Sequence, residues 1–454
     1  MEHKNEVANW FGDLKTYPTV VVDAYSLNDL EKIVADTQQY PSPLKPVGQN
    51  HSTAQCCEAN GGTIIRIKMN KILHIGEDTI TVEPGVLYKD IELALDPLGK
   101  QLHINTEIGC LTAGSAAVAA TKDSSFPNEY GQVGSYICEI SILKANGEKV
   151  LITEKDQDLI RAWRSSYGNL GLVYQVCFKT KPKQPLKVWH KNYSLQKFIA
   201  QLPEIKQANA AIMYYLYPFE NKITVEYRQY NHQQDLKNDP KYNTSLWKIR
   251  NHLWKKTEPY LGQWVERFVP FKWLRYKIVD VFNSIVRIGI TQFLKSDITQ
   301  AMDQTIRYPD VADIHRYTFS LWAFPEERYP EIVSAYFKFC HDYYKKTGYR
   351  TNLLNVGYRI SFDQQSLFSY SWNGNVMTVD PVSTGNKGWR EFLVHYNEFC
   401  SNLGGTPMFN QTWGVTRIQA EKAFGERLDV FKKIRQEFDP QNRFLNNYFK
   451  GIFC

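Results

Sequence analysis

The stretch "PLKPVGQNHSTAQC", residues 43–56, decides how this chain is read. An apolar run punctuated by prolines ends at Val47 and gives way to Gly48, Gln49, Asn50, His51 and Ser52. Gly48 permits close backbone approach, and a run of small polar residues presents successive N–H groups, which is how a chain cradles phosphate or pyrophosphate without a charged side chain. Alone, the loop is equally a plain turn. A second stretch, "EIGCLTAGSAAVAAT" (residues 107–121), sets Gly109, Cys110, Thr112, Gly114, Ser115 and Thr121 among alanines. It offers a nearly side-chain-free surface for a flat or extended ligand, and alone it is equally a small-residue packing face.

Around these loops lie short β-branched runs bounded by turn residues: "TVVV", "GTIIRI", "TITVEPG", "ISILKANGEKVLI" and "GLVYQVCFKTKP", the last containing Val173. Amphipathic segments separate them, notably "SLNDLEKIVADTQQY", where Ser26 and Asp29 form an acidic variant of the capping pattern, and "LYKDIELALDPLG". The pattern predicts an α+β domain over residues 15–185. Beyond "KPKQPLK", "AIMYYLYPFENKITVEYRQY" alternates as sheet strands do, and "RYTFSLWAFPEERYPEIVSAYFKFCHDYYKKTG" reads as a strand and then a helix between Pro330 and Gly348. "IQAEKAFGERLDVFKKIRQEF" reads as one final helix, with Phe424, Leu428, Phe431 and Ile434 on one face and a stop at Asp439-Pro440.

The bulk properties narrow the classes. A chain of 454 residues exceeds one typical core and predicts two domains. With 43% hydrophobic and 22% charged residues it is globular rather than disordered. The formal charge of +7 is mild for this length, and the absence of zinc-finger spacing or a long basic run argues against nucleic acid and against a bound metal. Eight cysteines without a CxxC pair read as reduced thiols of a cytoplasmic protein. The N-terminus opens on charges, and no apolar run reaches the roughly 18 residues of a membrane span.

Taken together, the motifs resemble the FAD-binding domain of the vanillyl-alcohol oxidase superfamily, the para-cresol methylhydroxylase (PCMH) type. "PVGQNHSTAQCCEANGGTIIRIKMNKI" is similar to its pyrophosphate loop and following strand, and "ITVEPGVLYKDIELALDPLGKQL" to the segment after it. "IGCLTAGSAAVAAT" resembles the second FAD loop, and "LIRAWRSSYGNLGLVYQVCFKTKP" the closing unit. The resemblance implies FAD. It also implies that Val47, Gly48, Gln49, Asn50, His51, Ser52, Gly109, Cys110, Thr112, Gly114, Ser115, Thr121 and Val173 hold it. In many members a histidine at the position of His51 is joined to the flavin 8α-methyl carbon, which needs a neutral imidazole nitrogen; the bland reading is a loop histidine beside a dissociable flavin. "GCLTAG" also matches the pattern in which bicovalent relatives make a second link, here through Cys110; its bland reading is a small residue filling the loop.

The remainder resembles the cap of the sugar-lactone and alditol oxidases: an antiparallel-sheet substrate domain over residues 186–420 and a segment, 421–454, that returns to the FAD domain. Here the sequence departs from the family. In "GYRISFD" Arg359 keeps the arginine of a Glu-x-Arg pair, but Gly357 stands at the glutamate. "PMFNQ" puts Met408 at the family's histidine and Gln411 at its lysine, and "MTVD" offers Asp380. Arg359, Asp380 and Gln411 are therefore the expected catalytic residues, with Arg417 of "NQTWGVTR" as an alternative cation.

Residues 245–295 stand out by composition, with Trp247, Trp254, Trp264 and Trp273 interleaved with Lys248, Arg250, Lys255, Lys256, Arg267, Lys272, Arg275 and Lys277. Such helices pack aromatics against a cap, lie on an anionic membrane, cover a substrate mouth or join subunits. The sequence thus predicts a two-domain FAD oxidoreductase, an oxidase acting on an alcohol of a sugar, polyol or natural product with dioxygen as acceptor. The alternatives are amine or C–C oxidation, and a binding module that keeps the fold without catalysis.

Overall fold

The computed structural model describes residues 5–231, 244–294, 297–299 and 316–454. Lys295, the last residue assigned to the aromatic insertion, lies outside the described residues.

The first β-branched runs make a small parallel sheet. Thr63–Ile67 is flanked by Val20–Ala24 and Leu44–Val47. Parallel neighbours require a crossover, supplied by the helix Leu27–Ala35, which buries Leu30, Ile33 and Val34. Its start is fixed by the Ser26–Asp29 pair: Ser26 Oγ accepts from the Asp29 N–H (3.3 Å), while the Asp29 carboxylate accepts from the Ser26 hydroxyl (2.9 Å). The polar loop at Gly48 thus leaves the carboxyl end of a strand paired along its length. Next to it lies a six-stranded antiparallel sheet with the central strand Leu172–Pro182 between Ile137–Leu143 and Thr79–Val82. Ile80, Val82, Ile137, Ile140, Ile142, Val176 and Phe178 close its core.

The second domain is an eight-stranded antiparallel sheet with the hairpin Ala211–Tyr217 and Lys222–Tyr230 near its centre. Strand periodicity sorts the hairpin's aromatic residues. Tyr214 and Leu216 pack behind the sheet with the helices Leu195–Gln207, Tyr329–Thr347 and Trp389–Asn402, whereas Met213, Tyr215 and Tyr217 pack in front against Val286, Ile290 and Leu354. The insertion forms helices Thr244–His252, Glu258–Phe268 and Lys272–Phe293 on that front side. The final helix departs from expectation: Gly425, at φ +52°, divides it into Arg417–Phe424 and Glu426–Phe438. Phe424, Leu428, Phe431 and Ile434 are still buried, in the same cluster as Ile140 and Trp163 of the first domain.

Gly357 is held by close approach. A Cβ there would lie 2.0 Å from Tyr214 Cε2 and 2.5 Å from the Thr378 carbonyl oxygen, and Tyr214 is its cross-strand partner. Gly357→Ala is expected to lower stability by about 1–3 kcal/mol, the usual cost of overpacking a filled core, read as a fall in the urea midpoint at unchanged slope. An unshifted midpoint would show that Tyr214 can move aside at no cost.

Candidate active site

The two loops meet at Gly48, where a Cβ would come within 2.3 Å of Thr112 Oγ1 and 2.7 Å of Ser115 Oγ. Those two hydroxyls are themselves bonded at 3.0 Å. Asn50 takes a left-handed backbone (φ +57°), tied down by its side-chain amide donating to the Ala8 carbonyl (2.9 Å) and its own carbonyl accepting from the Trp10 N–H (2.7 Å). Val47, Gly48, Gln49, Asn50, His51, Ser52, Thr112, Gly114, Ser115, Thr121 and Val173 all line one cavity of about 280 Å³. This cradle, where added side chains would collide and backbone faces the space, fits an extended dinucleotide such as FAD. Gly109 and Cys110 are not on its wall. Cys110 is buried in the loop, and the Gly109 carbonyl accepts from the Lys89 N–H (2.9 Å), so the segment turns this side toward the helix Tyr88–Leu95.

His51 lies on the cavity wall with its ring 5.3 Å from that of Trp10. Burial pushes its imidazole down to about 4, so it is neutral at physiological pH.

The cavity continues to the cap. Asp380 and Gln411 both reach it, joined by Lys122, Tyr358 and Asn410. Lys122 Nζ stands 3.5 Å from Asp380 Oδ2 and 3.1 Å from the centre of the Tyr358 ring. Burial raises Asp380 to about 6 against the opposing pull of Lys122, and burial lowers Lys122 although Asp380 and Asp123 oppose it. Arg359 does not join them. On a strand, neighbours face opposite sides; Tyr358 takes the cavity side, and Arg359 turns away to Glu326 (2.6 Å) and the Lys206 carbonyl (3.1 Å). The alternative cation, Arg417, sits outside as well, bonded to Glu421.

Below the cavity is a buried ionic network. The Arg228 guanidinium bonds Glu226 (2.6 Å), Asp123 (3.0 Å) and Glu107 (3.0 Å). Arg250 of the insertion bonds the same Glu107 (2.9 Å) and Glu226 (3.3 Å), with the Tyr215 hydroxyl at 2.9 Å. Burial works against the Glu226 charge, but Arg228 and Arg250 outweigh it and hold the carboxyl well below the usual range. The Glu-x-Arg spacing sought around Arg359 is therefore present one hairpin earlier, as Glu226 and Arg228 in "VEYR". Sequence reasoning missed that pair, and missed Lys122, whose only signal is a lone lysine directly after the small-residue run.

The polar atoms of this wall that are buried with no hydrogen-bond partner among the described residues include Asp380 Oδ1, Asn410 Oδ1, Gln411 Oε1 and Trp254 Nε1. Each orphan costs about 1–3 kcal/mol if nothing fills it, so the cavity is shaped for a polar guest.

Comparison with known proteins agrees with this geometry. Residues 18–153 match the family described as "FAD binding domain", and residues 176–452 the family described as "D-arabinono-1,4-lactone oxidase". An L-gulonolactone oxidase of Scyliorhinus torazame is 22% identical, covering 98% of this chain and 97% of its own length. An L-gulono-1,4-lactone dehydrogenase of Mycobacterium tuberculosis is 21% identical, covering 98% of each. Among solved structures, cholesterol oxidase from B. sterolicum superposes with a TM-score of 0.76 at 13% identity, covering 99% of this chain and 96% of that one. This last likeness shows the shared two-domain fold alone.

Proposed function

From the premise that the chain belongs to the D-arabinono-1,4-lactone oxidase family and is an FAD-dependent oxidoreductase, we propose that it oxidises a hydroxyl of a sugar-derived lactone, with dioxygen as final electron acceptor. The observation that supports this most is the continuity of the cofactor cradle with a cap cavity whose wall holds the Asp380–Lys122 pair and unpartnered polar atoms.

Residues 47–52 and 112–121 would hold FAD, which when bound would supply the acceptor for hydride from the substrate carbon. Asp380 is the base: its Oδ1 takes the proton of the substrate hydroxyl, while Lys122 holds Oδ2. A carboxyl raised to about 6 is ionised at neutral pH yet basic enough to accept that proton. Gln411 and Asn410 orient neighbouring hydroxyls through their carbonyl oxygens. His51, kept neutral by burial, is the covalent anchor of the cofactor; Cys110 is not.

The insertion supports a second contact, with an anionic membrane surface. Val281, Ile285 and Ile288 form an exposed stripe at helical spacing, and Trp264, Phe268, Phe271 and Trp273 are exposed around the preceding turn beside Arg267, Lys272 and Lys277. Basic residues flanking exposed aromatics suit the headgroup region. No helix among the described residues is long and apolar enough to cross a membrane.

Anaerobic mixing with L-gulono-1,4-lactone or D-arabinono-1,4-lactone is expected to bleach the yellow colour; no bleaching by either, or by other hydroxylactones, overturns the lactone reading. Asp380→Asn is expected to lower kcat about 10²–10⁴-fold with the cofactor retained. A base must be unprotonated, so wild-type kcat/KM should fall about tenfold per unit as pH drops below about 6; a pH profile identical in Asp380→Asn would exclude Asp380. After acid precipitation the colour should stay in the wild-type pellet and leave it in His51→Ala, whereas release from both means a dissociable cofactor. The protein should pellet with phosphatidylserine vesicles at low salt and less with neutral ones; absence from both pellets removes the membrane contact.

A further inference from the structure

The insertion presents two different faces. Helix Thr244–His252 runs through a π-helical turn, Leu253–Thr257, into helix Glu258–Phe268. Such turns occur mostly where a helix must aim side chains at a site. Here Arg250, Trp254 and Glu258, four residues apart, all come to the cavity wall.

Arg250 is committed to Glu107, Tyr215 and Glu226 and anchors the segment. The other two side chains have capacity to spare. Trp254 lies with its ring 5.4 Å from that of Tyr215, and its indole N–H is buried without a partner among the described residues. Glu258 is buried; its Oε1 accepts from the Leu354 N–H at 3.0 Å. Burial raises its carboxyl to about 8, so at neutral pH it is mostly uncharged, with an O–H to donate and an oxygen to accept. An aromatic face, an indole donor and a neutral carboxyl together match a ring that is apolar on its C–H face and edged with hydroxyls.

We infer that Trp254 and Glu258 bind the hydroxyls of the substrate remote from the reacting carbon and so determine which sugar-derived molecule is accepted. The inference rests on the lactone reading above. A site built to bond a hydroxyl discriminates strongly against an analogue lacking it, because the site's own polar groups are then left unpaired.

The test compares Trp254→Phe, Glu258→Leu and Glu258→Gln holoenzymes, each with the wild-type visible spectrum and thermal midpoint as proof of folding. Two lactones serve as probes: L-gulono-1,4-lactone, and α-hydroxy-γ-butyrolactone, which keeps one oxidisable hydroxyl and lacks the rest. Trp254→Phe and Glu258→Leu should raise KM for the first about tenfold or more, with a smaller effect on kcat. Both variants should shift KM for the second lactone far less, and Glu258→Gln, which can still donate and accept, should recover to within about threefold of wild type. Equal changes for both lactones, or unchanged KM throughout, overturn the inference while leaving the lactone reading intact. A wild-type enzyme reduced by no hydroxylactone overturns that reading and this inference with it.

Discussion

Three segments far apart in sequence meet on two buried guanidinium groups. Arg228 comes from the cap hairpin and Arg250 from the insertion; they share Glu107 of the second cofactor loop and Glu226 of the hairpin itself, and Arg228 alone also holds Asp123, just after that loop. Taking charges out of water is expensive, and breaking a buried ionic pair by removing one partner typically costs about 3–5 kcal/mol. The arrangement therefore has one low-energy register: the loop cannot slide against the hairpin without leaving a carboxylate unpaired. Trp247, fully buried with the Arg250 guanidinium 4.6 Å from its ring centre, seals the network from solvent. The position of the cavity floor follows from this lock.

Above the floor, the walls of the cavity come from different parts of the chain. Asp380 and Lys122 face each other across the domain boundary, one from the cap and one from the loop beside the cofactor cradle. The pair forms only where both domains are in register. The far wall belongs to the insertion, whose other surface carries the exposed apolar stripe.

The cofactor loops were legible because their requirement is local. Gly48 and the small residues after Leu111 are dictated by backbone approach, and few other residues fit. The helix start at Ser26 and the helix end at Gly348 were legible for the same reason. On the cap side Asp380 and Gln411, both expected from the sequence, reach the cavity, but Arg359 does not, because that depends on which face of a strand a residue occupies. Arg359 and Tyr358 are adjacent, and one step of register decides that the tyrosine meets Lys122 while the arginine meets Glu326. The insertion's composition was plain in the sequence, but its division into buried Trp247, cavity-facing Trp254 and exposed Trp273 requires the packed cap as a reference. Gly425 was read as helix interior because the apolar spacing continues across it, and that spacing survives the break.

The residues that close the first domain's core come from both ends of the chain. Phe431, Phe449 and Phe453 pack in one cluster with Ile140 and Trp163, and Asn446 binds the carbonyls of Gln55 and Cys56 next to the cofactor loop. During vectorial synthesis the cap strands emerge and can pair while these helices are still missing. The core of the first domain stays incomplete until they are present. Asn446 thus ties the turn that follows the cofactor loop to the segment most distant from it in sequence among its hydrogen-bond partners, so the support beneath the nucleotide cradle is a long-range contact.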